Sequence, residues 1–430
     1  MVMKMNKVKL SNKRPMILQK KYNKSAVFYL FIFEFLTLSL SLIYNIETID
    51  SFDFYTYLFI LIVTILSTLI IKKITKTDNI LLLIVNMLFV IGVAIIYRLN
   101  PALGQKQLLF YIVGITVFFL TFFILRLKKS WDRHFKFYFI ISVVLFLATI
   151  LFGFASGGAK NWIDLGPVSI QPSEFIKVPF AFFIASFYTN YEKIIEKPFG
   201  KYYLNIGVYI FILLFFIQRE LGTAIIFFAT MILTQFVYER DRKLIIANIV
   251  AMIFGVLLAY FIFAYIRVRV ETWLDPWSVI NDKGYQITQS LFALASGGLF
   301  GTGIGLGRPD YIPVAESDFI FPAICEEFGI FMGIAVVLLF LILVYRAIKI
   351  SLMQEKLFFS ILSFCIGCLF AIQTFVILGG VLKLIPLTGV TLPFISAGGS
   401  SMISGFILLA CLQYSSQNLE NGDDDEEKSK

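Results

Sequence analysis

Residues 80–97 read ILLLIVNMLFVIGVAIIY, eighteen positions that carry one amide, Asn86, and no charge. About 20 apolar residues in a helix span a ~30 Å hydrocarbon layer, so this stretch is long enough to cross a membrane. It is one of twelve such runs, at approximately 26–46, 54–71, 80–97, 107–125, 136–155, 174–190, 203–218, 221–238, 244–266, 319–345, 357–379 and 394–414. Across the chain 59% of residues are hydrophobic, 48 are Phe, only 15% are charged, and the mean hydropathy is +0.84. That composition excludes an ordinary soluble domain. The expected fold is an all-α polytopic membrane protein, a helical bundle of about 12 transmembrane helices.

The net charge of +9 invites a nucleic-acid reading. The distribution of the charge argues against it. Residues 1–25 hold eight Lys and Arg, and the basic segments KKITK, RLKKSWDRHFK, YEKIIEKPFGK and ERDRK follow at every second junction between runs. Basic residues at alternate junctions orient a membrane protein, which places both termini in the cytoplasm. The first 25 residues show no small-residue cleavage site, so no signal peptide is expected. The tail NLENGDDDEEKSK is acidic and reads as a solvated cytoplasmic segment. All four cysteines fall in apolar runs, and Cys365 and Cys368 read as small core hydrophobes despite their metal-like spacing. His134 is the only histidine, so His-based catalysis and the usual zinc sites are not expected.

With this orientation three long segments face outward, 156–173, about 267–318 and 380–393, and they carry most of the Gly, Pro and Trp outside the helices. Function is expected there. The stretch AESDFIFPAICEEFG (315–329) places Glu316, Asp318, Glu326 and Glu327 at the start of an apolar run. A helix N-terminus favours anions by ~0.3–1 kcal/mol, which accounts for Glu316 and Asp318 as a pair. It does not account for Glu326 and Glu327, and an ionisable group at membrane depth is a functional candidate. In QPSEFIKV (171–178), Glu174 and Lys177 are three apart and share a helix face. They form either a structural ion pair at a helix start or part of a polar substrate cavity. Arg267, Arg269 and Lys383 border the outward segments, as exposed cations or as partners for an anionic head group. The glycine-rich stretch SGGLFGTGIGLG (296–307) lacks the strand and the Lys of a nucleotide loop. SAGGSSMISG (396–405) reads as close helix packing or as a broken-helix ion site.

Together KNWIDLG, QPSEFIKV, LGTAIIF, WLDPW, GYQITQSLFALASGGLFGTGIGLG, AESDFIFPAICEEFG and LIPLTGVTLPFISAGGSS resemble, in order and spacing, the shape, elongation, division and sporulation (SEDS) family of RodA/FtsW-type peptidoglycan polymerases. The resemblance covers about residues 80–415. It implies a domain organisation of a basic N-terminus (1–25), two additional helices (26–79), a SEDS core (80–415) and an acidic tail (416–430). Three departures stand out. Arg219 and Glu220 replace the Pro-Asp usual before Leu-Gly-Thr, Ala397 stands where Tyr is common, and Ile377 where Asn is frequent.

What the resemblance implies for function is extension of glycan strands from lipid II at the outer face of the bacterial cytoplasmic membrane. Asp318 matches the family's essential acid, Glu174 and Lys177 its cavity pair, and Trp162 a sensitive outer-loop residue. The implied partner is a class B penicillin-binding protein transpeptidase. One carboxylate suffices for this chemistry, because a pyrophosphate already leaves well and only the attacking hydroxyl needs a base. Arg267, Arg269, Lys177 or a divalent cation such as Mg2+ or Mn2+ would neutralise the departing pyrophosphate. The alternatives are a lipid II flippase and a non-enzymatic scaffold of the cell-wall complex.

Overall fold

The computed structural model describes residues 25, 27–39, 51–74, 77–128, 130–156, 159–166 and 168–417. The expected N-terminal basic segment and most of the acidic tail lie outside the described residues. Two helices, α1 (Val27–Ser39) and α2 (Ser51–Ile74), precede the long apolar hairpin of α3 (Ile80–Leu99) and α4 (Pro101–Leu127). The turn between α3 and α4 is set locally: Asn100 is extended, its side chain accepts from the Leu103 N–H, and Pro101 takes the first helical position, where its missing donor costs nothing. The run expected from 107 therefore starts at 101.

Next come α5 (Phe135–Phe152), α6 (Pro172–Thr189), the short α7 (Tyr191–Ile195), α8 (Tyr203–Gln218), α9 (Leu221–Tyr238), α10 (Arg242–Ile262) and α11 (Ala264–Leu274). They are followed by α12 (Tyr285–Ser296), α13 (Ile320–Phe328), α14 (Ile330–Met353), α15 (Leu357–Val381) and α16 (Gly399–Ser415). Among the described residues eight helices are long and apolar enough to cross a membrane. The segment between α5 and α6, expected as a loop, forms three short antiparallel strands, β1 (Phe154–Ser156), β2 (Ala159–Asp164) and β3 (Ser169–Ile170). Trp162 pairs with Phe154, and Ile163 with Ile170.

Two continuous apolar runs turn out to be broken. The run 319–345 divides at Gly329, whose φ of 83° and ψ of 171° are open to glycine and strained for other residues. The glycine-rich segment packs into that break, with Thr302 N–H donating to Glu326 O and Ile330 N–H to Gly298 O. Its glycines thus admit close backbone approach between segments of this chain. The run 244–266 ends at Phe263, which is extended, and α11 sets off again from there.

Helices α3 and α15 are the buried centre, whereas α5 and α10 present mostly exposed apolar side chains, as lipid-facing helices do. A block of Phe rings on α5, α6, α8 and α9 fills one side, with Phe180 and Phe227 centroids 4.3 Å apart and Phe146 and Phe215 4.7 Å apart. Helix α16 packs closely on α4, with Gly399 against the Phe110 ring and Gly114 against Phe406. This is the small-residue packing that apolar helices use in place of a hydrophobic driving force.

Candidate functional site

One end of the bundle holds a cavity of ≈ 630 Å³. Its wall is assembled from seven places in the chain: β2, the start of α6, the α8–α9 junction, α11, the start of α12, and the segments around 314–318 and 387–401. Trp162, Glu174, Arg269 and Asp318 all line it.

Asp318 lies just before α13 and is half-buried. The backbone just before it is held by one segment: Ala397 N–H donates to Glu316 O at 2.8 Å, and Ser396 Oγ donates to Ser317 O at 2.6 Å. Ser317 Oγ donates to the Asp318 carboxylate at 3.2 Å. Burial raises the carboxyl above its ordinary range, the Ser317 hydrogen bond and the Arg269 charge pull it back down, and Glu316 adds a smaller upward push. Arg269 is anchored by Nη1 donating to Thr388 O at 3.1 Å. Both groups converge on Gly389, where a methyl would stand 3.4 Å from Asp318 Oδ2 and 3.8 Å from Arg269 Nη2. A carboxylate and a guanidinium therefore share one part of the wall, with the fixed charges that a reaction moving a proton and an anion needs.

Lys177 is buried behind the lining. Its Nζ donates to both Glu174 oxygens and to Gln373 Oε1, each at 2.8 Å. Ser404 Oγ also donates to Glu174, and Gln373 Nε2 donates to Thr391 O on the cavity wall. All three ammonium hydrogens thus have acceptors, so Lys177 braces the wall from behind. Ser173, a natural cap by residue type, sits inside α6 and donates to Glu220.

Arg267 and Lys383 do not line the cavity. Arg267 Nη2 donates to Phe261 O at 3.0 Å and the side chain is exposed. Two positions on a helix differ by about 200°, so Arg267 and Arg269 point to opposite faces of α11. Lys383 Nζ reaches Leu274 O at 3.4 Å, and the Lys383 carbonyl accepts from Trp273 Nε1.

In place of these, the cavity holds Arg219 and Lys283, two cations that sequence reading did not single out as site residues. It also holds Glu220, which is buried and accepts on Oε1 from Asn161 at 2.5 Å, Gln171 at 2.7 Å and Ser173 at 3.1 Å. Burial raises the Glu220 carboxyl, these three donors oppose the rise, and the Glu174 charge adds to it. The one available signal for both residues was the departure at Arg219–Glu220 from the motif the chain otherwise follows.

Glu326 and Glu327 face away from the cavity, toward the glycine-rich segment. Arg98 Nε lies 2.7 Å from Glu327 Oε1, Arg98 Nη2 donates to Gly307 O, and Glu326 Oε1 accepts from Arg308 N–H. They hold that segment against α3. Among the described residues no three Asp, Glu, His or Cys side chains come together as a metal cage.

A family model for a cell cycle protein, FtsW/RodA/SpoVE, matches residues 78–421. The chain is 32% identical over 368 residues to the peptidoglycan glycosyltransferase RodA of Mycobacterium tuberculosis, covering 78% of this chain and 77% of that one. It is 32% identical over 350 residues to the stage V sporulation protein E of Bacillus subtilis, covering 77% and 94%. Among solved structures it resembles a chain of a peptidoglycan synthase complex that coordinates polymerization and crosslinking, with a TM-score of 0.67, 22% identity, and coverage of 80% of this chain and 98% of that one. The rod shape determining protein RodA of Thermus thermophilus aligns with a TM-score of 0.57 and 20% identity, over 79% and 96% of the two chains.

Proposed function

The chain belongs to the FtsW/RodA/SpoVE family, and from that membership we infer that it is a peptidoglycan glycosyltransferase that polymerises lipid II with Asp318 as its general base. The observation that carries the assignment of the base is the convergence of Asp318 and Arg269 on Gly389 in the wall of the cavity. Relatives named peptidoglycan glycosyltransferase, about one-third identical over most of the chain, supply the reaction class.

In this reading a sugar hydroxyl of one lipid-linked disaccharide attacks the anomeric carbon of another. The new C–O bond forms as the bond from that carbon to the phosphate oxygen breaks, and the polyprenyl pyrophosphate leaves with the electron pair. Asp318 takes the hydroxyl proton, and Arg269 meets the negative charge that develops on the leaving group. Inversion at the carbon follows from in-line attack. Glu174 and Lys177 keep their wall of the cavity rigid, and Trp162 lies over it from β2. A divalent cation such as Mg2+ or Mn2+ would be held by Asp318 together with the substrate's pyrophosphate and would supply positive charge to the leaving group.

The cavity end faces the exterior of the bacterial cytoplasmic membrane in this reading, and both termini are cytoplasmic. The basic junctions support that orientation. Sugars hanging from polyprenyl tails then meet the site at head-group level. A class B penicillin-binding protein is the proposed partner that crosslinks the strands, in keeping with the likeness to a synthase complex.

The test is purified protein with lipid II in detergent, where no second compartment exists and a flippase would yield no product. Glycan strands are expected from the natural protein, and Asp318→Asn should lower the rate about 10²- to 10⁴-fold while remaining folded. Undiminished polymerisation by Asp318→Asn removes the role of the base. Absence of polymer from the natural protein removes the enzyme reading.

A further inference from the structure

Arg219 ends α8 with φ 62° and ψ 29°, in the left-handed region where glycine is the usual occupant. The turn is well made, with Arg219 N–H donating to Phe216 O and Glu220 N–H to Phe215 O. Its backbone would be satisfied by glycine with less strain. A side chain kept in a strained position is expected where that side chain has work to do.

The Arg219 guanidinium lines the cavity and has neither a hydrogen bond nor an ion pair among the described residues. Glu220, its neighbour in sequence, turns its Oε1 to Asn161, Gln171 and Ser173 and keeps its Oε2 buried without a partner, and it forms no ion pair with Arg219. Arg269, also in the cavity wall, forms no ion pair within 4.0 Å either; it is held by the Thr388 carbonyl. Both guanidiniums act on the same phenol, Tyr265 of α11: burial raises its pKa, and the charges of Arg269 and Arg219 oppose the rise. The Tyr265 hydroxyl is itself buried with no partner. Two cations from two separate helices thus line one cavity and both act on a partnerless hydroxyl; the Asp318 charge bears on Arg269, whereas Arg219 has no carboxylate within 4.0 Å among the described residues. Such a group is stable when an anion with several acceptor oxygens fills it, and planar guanidiniums bind phosphate oxygens two at a time.

We propose that Arg219, together with Arg269, forms a diphosphate-binding subsite of this cavity that holds the pyrophosphate of the polyprenyl-linked sugar donor. This deepens the glycosyl-transfer reading and rests on it. Arg219 stands where the family's motif usually has a proline. Proline is fixed near φ −65° and carries no N–H, so it could neither adopt this turn nor supply the charge.

The experiment uses the full chain in detergent and reads the rise in thermal unfolding midpoint on adding inorganic pyrophosphate or farnesyl diphosphate. Arg219→Asn removes the charge and keeps a residue that tolerates the left-handed turn. Should that variant fail to fold, Arg219→Gly is measured in its place. The ligand concentration needed for a given rise is expected to increase about tenfold in Arg219→Asn and by less in Arg219→Lys, which keeps the charge but loses the two-pronged contact. Dependence on Arg219 with both ligands assigns the subsite to the diphosphate itself. Dependence with farnesyl diphosphate alone assigns it to the lipid-linked form. Equal stabilisation of Arg219→Asn and the natural protein by both ligands overturns the proposal. Because the readout is binding, it decides this point even if no glycan is formed, an outcome that would count against the polymerase reading instead.

Discussion

Lys177 Nζ lies 2.8 Å from each carboxylate oxygen of Glu174, one helical turn away, and the two side chains are 2% and 6% exposed. A buried pair owes little net stability to its own attraction, because both charges lost their water. Removing one partner is different, since it leaves the other charge buried and unbalanced, at about 3–5 kcal/mol. Glu174→Gln and Lys177→Met should each lower the unfolding midpoint in detergent sharply. The double variant should be far more stable than the sum of the two losses predicts. Additive losses would show that the two groups act independently.

Activity should depend on pH through Asp318. Burial raises its carboxyl and Arg269 is among the influences that lower it. A base works ionised, so the rate is full above this pKa and falls as the pH drops through it. Arg269→Gln removes a lowering influence, so the acid limb of the rate profile should move to higher pH, on top of any loss in maximal rate. The measurement is the rate of glycan formation against pH for both proteins. An unmoved acid limb would separate Arg269 from Asp318.

Gly389 has φ 72°, and an added methyl would meet Asp318 Oδ2 at 3.4 Å and Arg269 Nη2 at 3.8 Å. Gly389→Ala should therefore strain the backbone by about 1–2 kcal/mol. The methyl itself meets both charged groups at ordinary contact distance, so they shift only as far as the strained backbone moves their surroundings, and small displacements of reacting groups are costly. A loss of about ten- to a hundredfold in rate is expected. Lipid II polymerisation and thermal unfolding measured together separate the two effects, and a normal rate would place Gly389 outside the reacting geometry.

The sequence made the helical bundle legible because membrane-spanning runs are local: length and hydropathy are read along the chain without knowing what touches what. The breaks were less visible. Gly329 is one of 28 glycines, and only its contact with the glycine-rich segment reveals a boundary there. Asp318, Glu174 and Lys177 could be selected as charges beside apolar runs. Arg267 and Arg269 could not be told apart until the break at Phe263 set the rotational phase of α11. Glu220 was the hardest, because its partners Asn161, Gln171 and Ser173 are 59, 49 and 47 residues away. Contacts of that kind leave no periodic trace.

Those partners also make Glu220 a joint between β2 and the start of α6, and they define a last prediction. Its Oε1 accepts from both places at once, so the strands that carry Trp162 over the cavity are tied to the helix that carries Glu174. Glu220→Ala removes the acceptor and leaves the buried Asn161 amide without it, at about 1.5–3 kcal/mol for a bond to a charged group. The loss should be local. Hydrogen exchange of residues 159–164 is expected to speed up while α3 and α15, the buried centre of the bundle, keep their protection. Glu220→Gln retains a carbonyl acceptor for Asn161 and should keep most of the protection. Should the strands exchange at the natural rate in Glu220→Ala, they are held by pairing with their neighbours alone, and Glu220 has no part in positioning Trp162.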